Sequence, residues 1–311
     1  MKTVKAVPPY QYEGKSNFKW YLYKAWEEAG GLVASSHYPP RALHGLAYKW
    51  DVQWPWKSRT EARLRFVSGF SVRFDTFPDS AFYEMIPVVW DCWPGQVKGV
   101  ADFFRRHRVR TAFFTSSQTA DTFRRLFPAM DICTLTEGVD LSLYHKGKDL
   151  VERGIDLLEV GRAQASPFRS PLPEGIRRVK TGNFARAFQS DEDFRQALAD
   201  TKVTLNVPRC DVDPAVAGGV ETLTQRYWEC MLSRIVMVGR SPKELTDLIG
   251  YDPVLTWDGQ DASSLVCQVL ENPAAFQELV DRNYETALRR ASWSIRVERM
   301  RAWLAGLGYA L

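Results

Sequence analysis

The sequence predicts an α/β protein built on two largely parallel sheets. Short apolar runs alternate along the chain with segments of helical period, the pattern of repeated β–α units. The 311 residues suffice for two domains at roughly 100–200 residues each. A polar stretch after Tyr144 (HKGKD) then separates one such series from a second. Hydrophobic residues make up 45% and charged residues 25%, a globular composition that excludes a disordered or fibrous chain.

Residues 3–7 read as the first strand, followed by a Pro/Gly loop through Gly14. A helix over 17–28 stops at Gly30-Gly31, since glycine ends helices readily. Residues 40–65 carry many aromatics without a clear period and receive no assignment. Strands over 67–75, 87–90, 110–115 and 132–135, with helices over 100–107 and 119–127, complete the first series. The second series opens with strands over 155–160 and 177–180, a helix over 191–198 and a strand over 203–207. A helix beginning near Leu223 leads into a strand over 235–238, and another starts at Pro242 with more to follow. The expected domains are 1–145 and 146–290, with 291–311 forming a helix that returns toward the first.

No apolar run approaches the roughly 18–20 residues needed to cross a bilayer, which excludes a spanning helix. The N-terminal residues lack the apolar stretch and cleavage site of a secretory signal. The five cysteines (Cys92, Cys133, Cys210, Cys230, Cys267) are scattered without a C-x-x-C pair, as in a reducing compartment. The expected location is the cytoplasm.

The net charge of +4 is uneven, +6 over residues 1–150 and −2 over the rest. Its densest run is Arg105, Arg106, His107, Arg108 and Arg110, read either as a solvated helix end or as attraction to an anionic surface. The basic first half is compatible with peripheral contact with the inner face of a membrane. A pI near 8.7 with no recognised binding motif argues against nucleic acid. Seven of the eleven tryptophans precede residue 100 (Trp20, Trp26, Trp50, Trp54, Trp56, Trp90, Trp93), and such rings pack, stack on sugars or sit at membrane interfaces.

The most informative stretch is Gly218-Gly219-Val220-Glu221-Thr222-Leu223-Thr224-Gln225-Arg226-Tyr227-Trp228-Glu229. The glycines let backbone approach a ligand closely. Thr222 and Gln225 stand at capping-box spacing, which predicts a helix start with N–H groups and a positive dipole end for a phosphate. On one helix at ~1.5 Å per residue, Glu221 and Glu229 would lie ~12 Å apart, about the span of a sugar diphosphate and ribose. Two glutamates at that spacing also occur in many helices with no such role.

This E-x7-E pair, after a strand ending Leu205-Asn206-Val207-Pro208, resembles the donor-site signature of retaining glycosyltransferases of GT-B fold, the family-4-like, group-1 type. Ile155-Asp156-Leu157-Leu158-Glu159-Val160-Gly161-Arg162 is similar to the first strand of their C-terminal domain. Thr136-Glu137-Gly138-Val139-Asp140 with Tyr144 resembles their inter-domain hinge, and Ser292-Trp293 with Arg296 their tail helix. The resemblance implies two Rossmann-like domains facing a cleft, the first for acceptor and the second for nucleotide sugar. It implies that Glu221 contacts the transferred sugar, that Glu229 binds the ribose, and that Gly161 and Arg162 hold the diphosphate. Thr222, Leu223 and Asn206 belong to the same donor-binding set, and Gly14 to the loop facing the phosphates. The family's second cation, a lysine in an E-x-K-G loop, is missing here, with Arg169 or Lys180 as substitutes. Arg226 is either an intrahelical partner of Glu229 or a further phosphate contact.

Such enzymes retain anomeric configuration by front-face attack, the leaving phosphate taking the acceptor proton, so no triad is needed. Of the four histidines (His37, His44, His107, His145), none is placed like a triad member or metal ligand. Asp91, after an apolar strand, is the candidate acceptor-side residue, with loop capping as its other role. Asp211-Val212-Asp213 matches the metal-binding D-x-D of single-domain glycosyltransferases, but its position in a loop before Pro214 reads as an acidic loop. The expectation is a metal-independent enzyme without a resident cofactor, moving a sugar from a nucleotide-diphosphate sugar to a glycan or lipid-linked glycan. The rival readings are a non-catalytic GT-B scaffold that binds a glycan or partner, and a nucleotide-sugar epimerase.

Overall fold

The computed structural model describes all residues except 9–17, 36–44, 47–48, 51–52, 161–167, 182–186 and 258–260. The chain divides into unit 1, Met1–Glu137 with Val216–Val220 and Trp293–Leu311, and unit 2, Gly138–Ala215 with Glu221–Ser292. The division therefore falls ahead of the polar run 145–149. That run looks like a linker because its side chains are charged, but its backbone is committed to unit 2. The buried Arg153 guanidinium donates to the carbonyls of Lys146 and Lys148, and also to those of Thr201 and Ser233 at 2.7 and 2.9 Å. Val139 already bridges to Ser292 within the same unit.

Unit 1 is a parallel sheet. Its strands are β1 (Lys2–Ala6), β2 (Leu32–Val33), β3 (Glu61–Ser68), β4 (Glu84–Trp90), β5 (Thr111–Phe114), β6 (Asp131–Thr134) and β12 (Tyr309–Ala310). The order is β12-β1-β3-β4-β5-β6, with β2 also against β1. One face is covered by α1 (Phe18–Glu28) and the C-terminal helix α9 (Trp293–Gly306), which bury Trp26, Trp293 and Met300 against Leu64, Phe66 and Phe113. The other carries α2 (Pro94–His107) and α3 (Ser117–Leu126), whose Phe103, Phe104 and Phe123 pack on Val67, Val89 and Phe114. Each helix starts as its sequence dictates. Proline occupies the first turn of α2, where no N–H is missed, and the Ser116 side chain accepts from Thr119 N at α3.

The strand expected over 67–75 is instead β3, and a short helix, Val72–Thr76, replaces its second half. Arg63 and Arg65 conceal the strand by interrupting its apolar run. Both are buried and paired with acids. Arg65 donates to Asp79 Oδ2 at 3.3 Å and to the Pro8 carbonyl at 3.4 Å, while Arg63 meets Glu61 at 2.7 Å and lies 3.7 Å above the Tyr83 ring. Asp75 then ends the strand by accepting from Ser68 N at 2.8 Å.

His107 closes α2 at 3% exposure, stacked 4.2 Å from Phe103 and bonded through Nδ1 to the Ser80 carbonyl. Burial pushes its pKa down to about 4, with the positive charges of Lys57, Arg106 and Arg73 acting in the same direction. A histidine held neutral in the fold favours the folded state above its unfolded value near 6.5, and that advantage is lost as pH falls toward 4. Acidification from pH 7 to 5 should thus cost about 2 kcal/mol through this residue. Thermal melts at the two pH values check it: His107→Gln should shrink the difference, and an unchanged difference would refute the assignment.

Unit 2 has strands β7 (Ile155–Glu159), β8 (Arg178–Lys180), β9 (Thr201–Asn206), β10 (Val236–Gly239) and β11 (Val254–Thr256), all parallel, in the order β11-β10-β9-β7-β8. α4 (Asp191–Ala199) opens with a full capping box between Ser190 and Asp193. α5 (Gln225–Leu232) and α8 (Gln277–Arg290) cover one face around the fully buried Trp228. α7 (Ser263–Glu271) covers the other with Val266 and Val269. α6 (Lys243–Ile249) ends at Gly250, whose left-handed φ of 82° suits glycine. Among the described residues, no helix is long and apolar enough to cross a membrane.

Candidate active site

Doubly wound sheets bind ligands beyond the carboxyl ends of their strands, where the strand order reverses. In unit 2 this point lies between β7 and β9. Asn206 ends β9 and is buried, its Nδ2 donating to Cys230 Sγ of α5 at 3.4 Å. It locks strand to helix from within the core. Arg226, in the first turn of α5, donates from Nη1 to the Val160 carbonyl at 2.5 Å. The intrahelical ion pair with Glu229 is therefore replaced by a bond to the end of β7, immediately before Gly161 and Arg162. Those two residues, like Gly14, His37 and His44, lie outside the described residues.

Glu229 is half-buried on α5 and accepts from the Tyr144 hydroxyl at 2.8 Å. Burial pushes its carboxyl up, against the pull of the Tyr144 bond and of the charges on Arg226 and Arg195. The tyrosine thus sets the orientation of a carboxyl group that burial alone would leave neutral more readily. Lys180 sits beside the end of β7, 3.6 Å from Glu159, which Arg178 also holds. Arg169 is exposed, and its backbone N–H is bound by Asp261 at 3.0 Å.

Glu221 departs from expectation. α5 starts at Gln225 after Thr224, so Thr222 does not cap it and Glu221 is not on the helix. The ~12 Å rise along one axis therefore does not describe this pair. The cause is the neighbouring α6. Glu221 Oε2 accepts from the first N–H of α6, at Lys243, at 3.0 Å, and Glu244 of α6 accepts from Leu223 N at 2.8 Å. These reciprocal bonds draw the segment after Glu221 along α6 and delay the helix; the Leu223 side chain is then buried in the core. Gly218, just upstream in the unit 1 segment Val216–Val220, needs its glycine for a φ of 56°.

The other Glu221 oxygen meets Arg240, which also grips Asp211 through two nitrogens at 2.7 and 2.8 Å. Those two carboxylates hold the guanidinium firmly protonated. Asp213 pairs with Arg209 at 3.1 Å, so both acids of the D-x-D triplet face arginines. Among the described residues, no group of three His, Cys, Asp or Glu side chains is arranged to hold a metal ion. In unit 1, Asp91 follows β4 with a left-handed φ of 48°, a conformation aspartate tolerates better than most residues. The turn packs against Gly69, where an added Cβ would stand 2.7 Å from the Asp91 carbonyl oxygen.

Residues 170–302 match the family model described as glycosyl transferase-like. Over the whole chain, the structure resembles Anabaena Alr3699/HepE solved with UDP-glucose (10% identity, 98% of this chain and 100% of that one, TM-score 0.57). Sucrose-phosphate synthase from Thermosynechococcus elongatus compares at 13% identity, 99% of each chain and a TM-score of 0.60. AviGT4, a glycosyltransferase of avilamycin A biosynthesis, compares at 15% identity, 99% and 98% coverage and 0.55. The fold is GT-B. No curated protein matches the chain in sequence. The glycosyl transferase-like region of this GT-B chain holds Glu221, Glu229, Arg226, Arg240 and Lys180, whereas Tyr144 and Val160 precede it.

One residue, Arg240, and one contact, that of Tyr144 with Glu229, escaped the sequence reading. Arg240 was legible in principle, because β10 continues as Val238-Gly239-Arg240 just as β7 continues as Val160-Gly161-Arg162. Tyr144 stood out only as part of the hinge-like stretch; its contact with Glu229 spans 85 residues.

Proposed function

We propose that this GT-B protein is a retaining glycosyltransferase that uses a nucleotide-diphosphate sugar without a metal ion and serves a glycan or lipid-linked glycan acceptor. The observation that carries the reading is the convergence on α5. Arg226 fastens the start of α5 to the end of β7, and Tyr144 orients Glu229 one turn later. In this reading Glu229 accepts hydrogen bonds from the ribose. The diphosphate lies toward the end of β7, where Arg226 and Lys180 supply positive charge against that developing on the leaving group, a role the resemblance also implies for Arg162. The N-terminal N–H groups of α5, which the Thr224 side chain does not cap, favour the same anion. Glu221 stands before the helix, toward the transferred sugar, and unit 1 with Asp91 serves the acceptor. The leaving phosphate takes the acceptor proton.

One observation favours the rival scaffold reading: both Glu221 oxygens already have protein partners. Calorimetric titration with UDP, GDP, ADP, CMP and TDP, with and without chelator, separates the two. One nucleotide is expected to bind and to keep binding under chelation. Glu229→Ala should weaken it by about 1.5–3 kcal/mol, the value of a hydrogen bond to a charged acceptor. Because burial raises the Glu229 carboxyl, affinity should begin to fall on acidification above the usual carboxylate range. Binding that needs Mn²⁺ would return Asp211 and Asp213 as ligands, and no binding by any nucleotide would leave the scaffold.

A further inference from the structure

We infer that unit 1 carries a docking surface for an anionic lipid bilayer, formed by Trp54, Trp56 and Phe82 beside the arginines that end α2. Trp56 is 75% exposed, Trp54 49% and Phe82 44%. Trp54 packs edge-on to Trp56 at 6.2 Å and against Phe82 at 6.0 Å, so the rings form one cluster. Isolated exposed apolar side chains are ordinary, but contiguous large ones mark an interaction site.

Backbone bonds hold the cluster in place. Trp54 N donates to the Ala81 carbonyl at 3.1 Å and Ser58 N to the Phe82 carbonyl at 2.8 Å. Lys57 Nζ donates to the His107 carbonyl at 3.0 Å, and Gln53 Nε2 reaches the His107 ring. The aromatic segment is thereby tied to the C-terminus of α2, where Arg105, Arg106 and Arg108 are exposed. Arg73 lies near enough to His107 to lower its pKa, and exposed Arg59 adjoins the segment. The nearby acids are engaged: Asp102 meets Lys98 and Arg105, and Asp79 meets Arg65 and Arg63.

Charge decides the occupant. A neutral glycan would use the rings but gain nothing from so many cations, and a second copy of the same face would set arginine against arginine. A leaflet of anionic lipid satisfies both features, with indole rings at headgroup depth and arginines on the phosphates. The binding stands independently of the glycosyl transfer proposed above.

The test is vesicle sedimentation of the whole protein without nucleotide, using phosphatidylglycerol–phosphatidylcholine vesicles against phosphatidylcholine alone. The protein should pellet with the anionic vesicles only and be released by high salt. Trp54→Ala with Trp56→Ala should weaken partitioning by roughly tenfold or more. Arg106→Ala with Arg108→Gly should weaken it by roughly thirtyfold, at about 1 kcal/mol per charge. The second variant carries glycine where φ is 53°, so it keeps the backbone. Arg289→Ala, an exposed cation of unit 2, should change nothing. Equal binding to both vesicle types, no binding to either, or unaltered binding of the tryptophan variant would each overturn the inference. So would a dimer in sedimentation velocity that Trp56→Ala dissociates while vesicles are ignored. Nucleotide titration reports on transfer separately.

Discussion

Glu221→Gln is expected to lower sugar transfer by roughly a hundredfold to a thousandfold, the range for losing one preorganised electrostatic contact in a transition state. Glutamine is the informative replacement, because the carboxylate has two structural partners. One oxygen receives the first N–H of α6 and the other meets Arg240. Alanine would remove both and leave that helix start without its acceptor, at about 1 kcal/mol. The amide retains an acceptor for Lys243 N–H and loses chiefly the Arg240 pair, which is part-exposed and worth under about 1 kcal/mol. The thermal midpoint and nucleotide affinity should therefore stay close to wild type while turnover collapses, measured with the sugar donor of whichever nucleotide binds. Near wild-type turnover would remove Glu221 from the reaction. A parallel fall in midpoint, affinity and turnover would make it a brace for α6 and Arg240 only.

The second large effect concerns Gly239, the last residue of β10. A Cβ there would stand 1.9 Å from the Asn206 carbonyl oxygen and 2.7 Å from its carbon, at a φ of 148°. Both contacts are with backbone, so no side chain can swing aside. Gly239→Ala should destabilise unit 2 by about 3–5 kcal/mol, lowering its thermal midpoint by roughly 6–20 °C. Asn206 ends β9 at the point of strand reversal, and Arg240 follows Gly239 directly and holds Glu221. The same methyl group should therefore disturb the site as well as the fold. Gly99→Ala, in mid-α2 with open space around the new Cβ, should instead stabilise by about 0.5–1 kcal/mol. Equal melting of the two variants would show that the close approach at Gly239 is relieved cheaply.

Much of this molecule was legible in one dimension. Apolar strands such as Glu84–Trp90 and Thr111–Phe114, and helices bounded by Ser116 or Ser190, depend on neighbours a few residues away, although α2 begins at Pro94, ahead of the helix expected over 100–107. Period, capping and turn chemistry act over that distance, so the α/β class and the two series of units followed from local pattern, while the GT-B resemblance rested on short motifs in chain order. β3 resisted because Arg63 and Arg65 look solvent-bound until Asp79 and Tyr83 are brought to them.

The candidate site divides in the same way. The E-x7-E spacing picks out the two glutamates of the candidate site, and chain order alone supplies it. Where α5 begins, which partners hold Glu221, and that Tyr144 governs Glu229 depend on contacts between residues 19 to 85 positions apart. A capping box at Thr222 and Gln225 is a local preference worth about 1 kcal/mol, and the bonds of Glu221 and Leu223 to α6 outweigh it. Short-range preferences choose the elements; long-range hydrogen bonds and charge pairs, which form only once the sheets assemble, choose where each candidate carboxylate points.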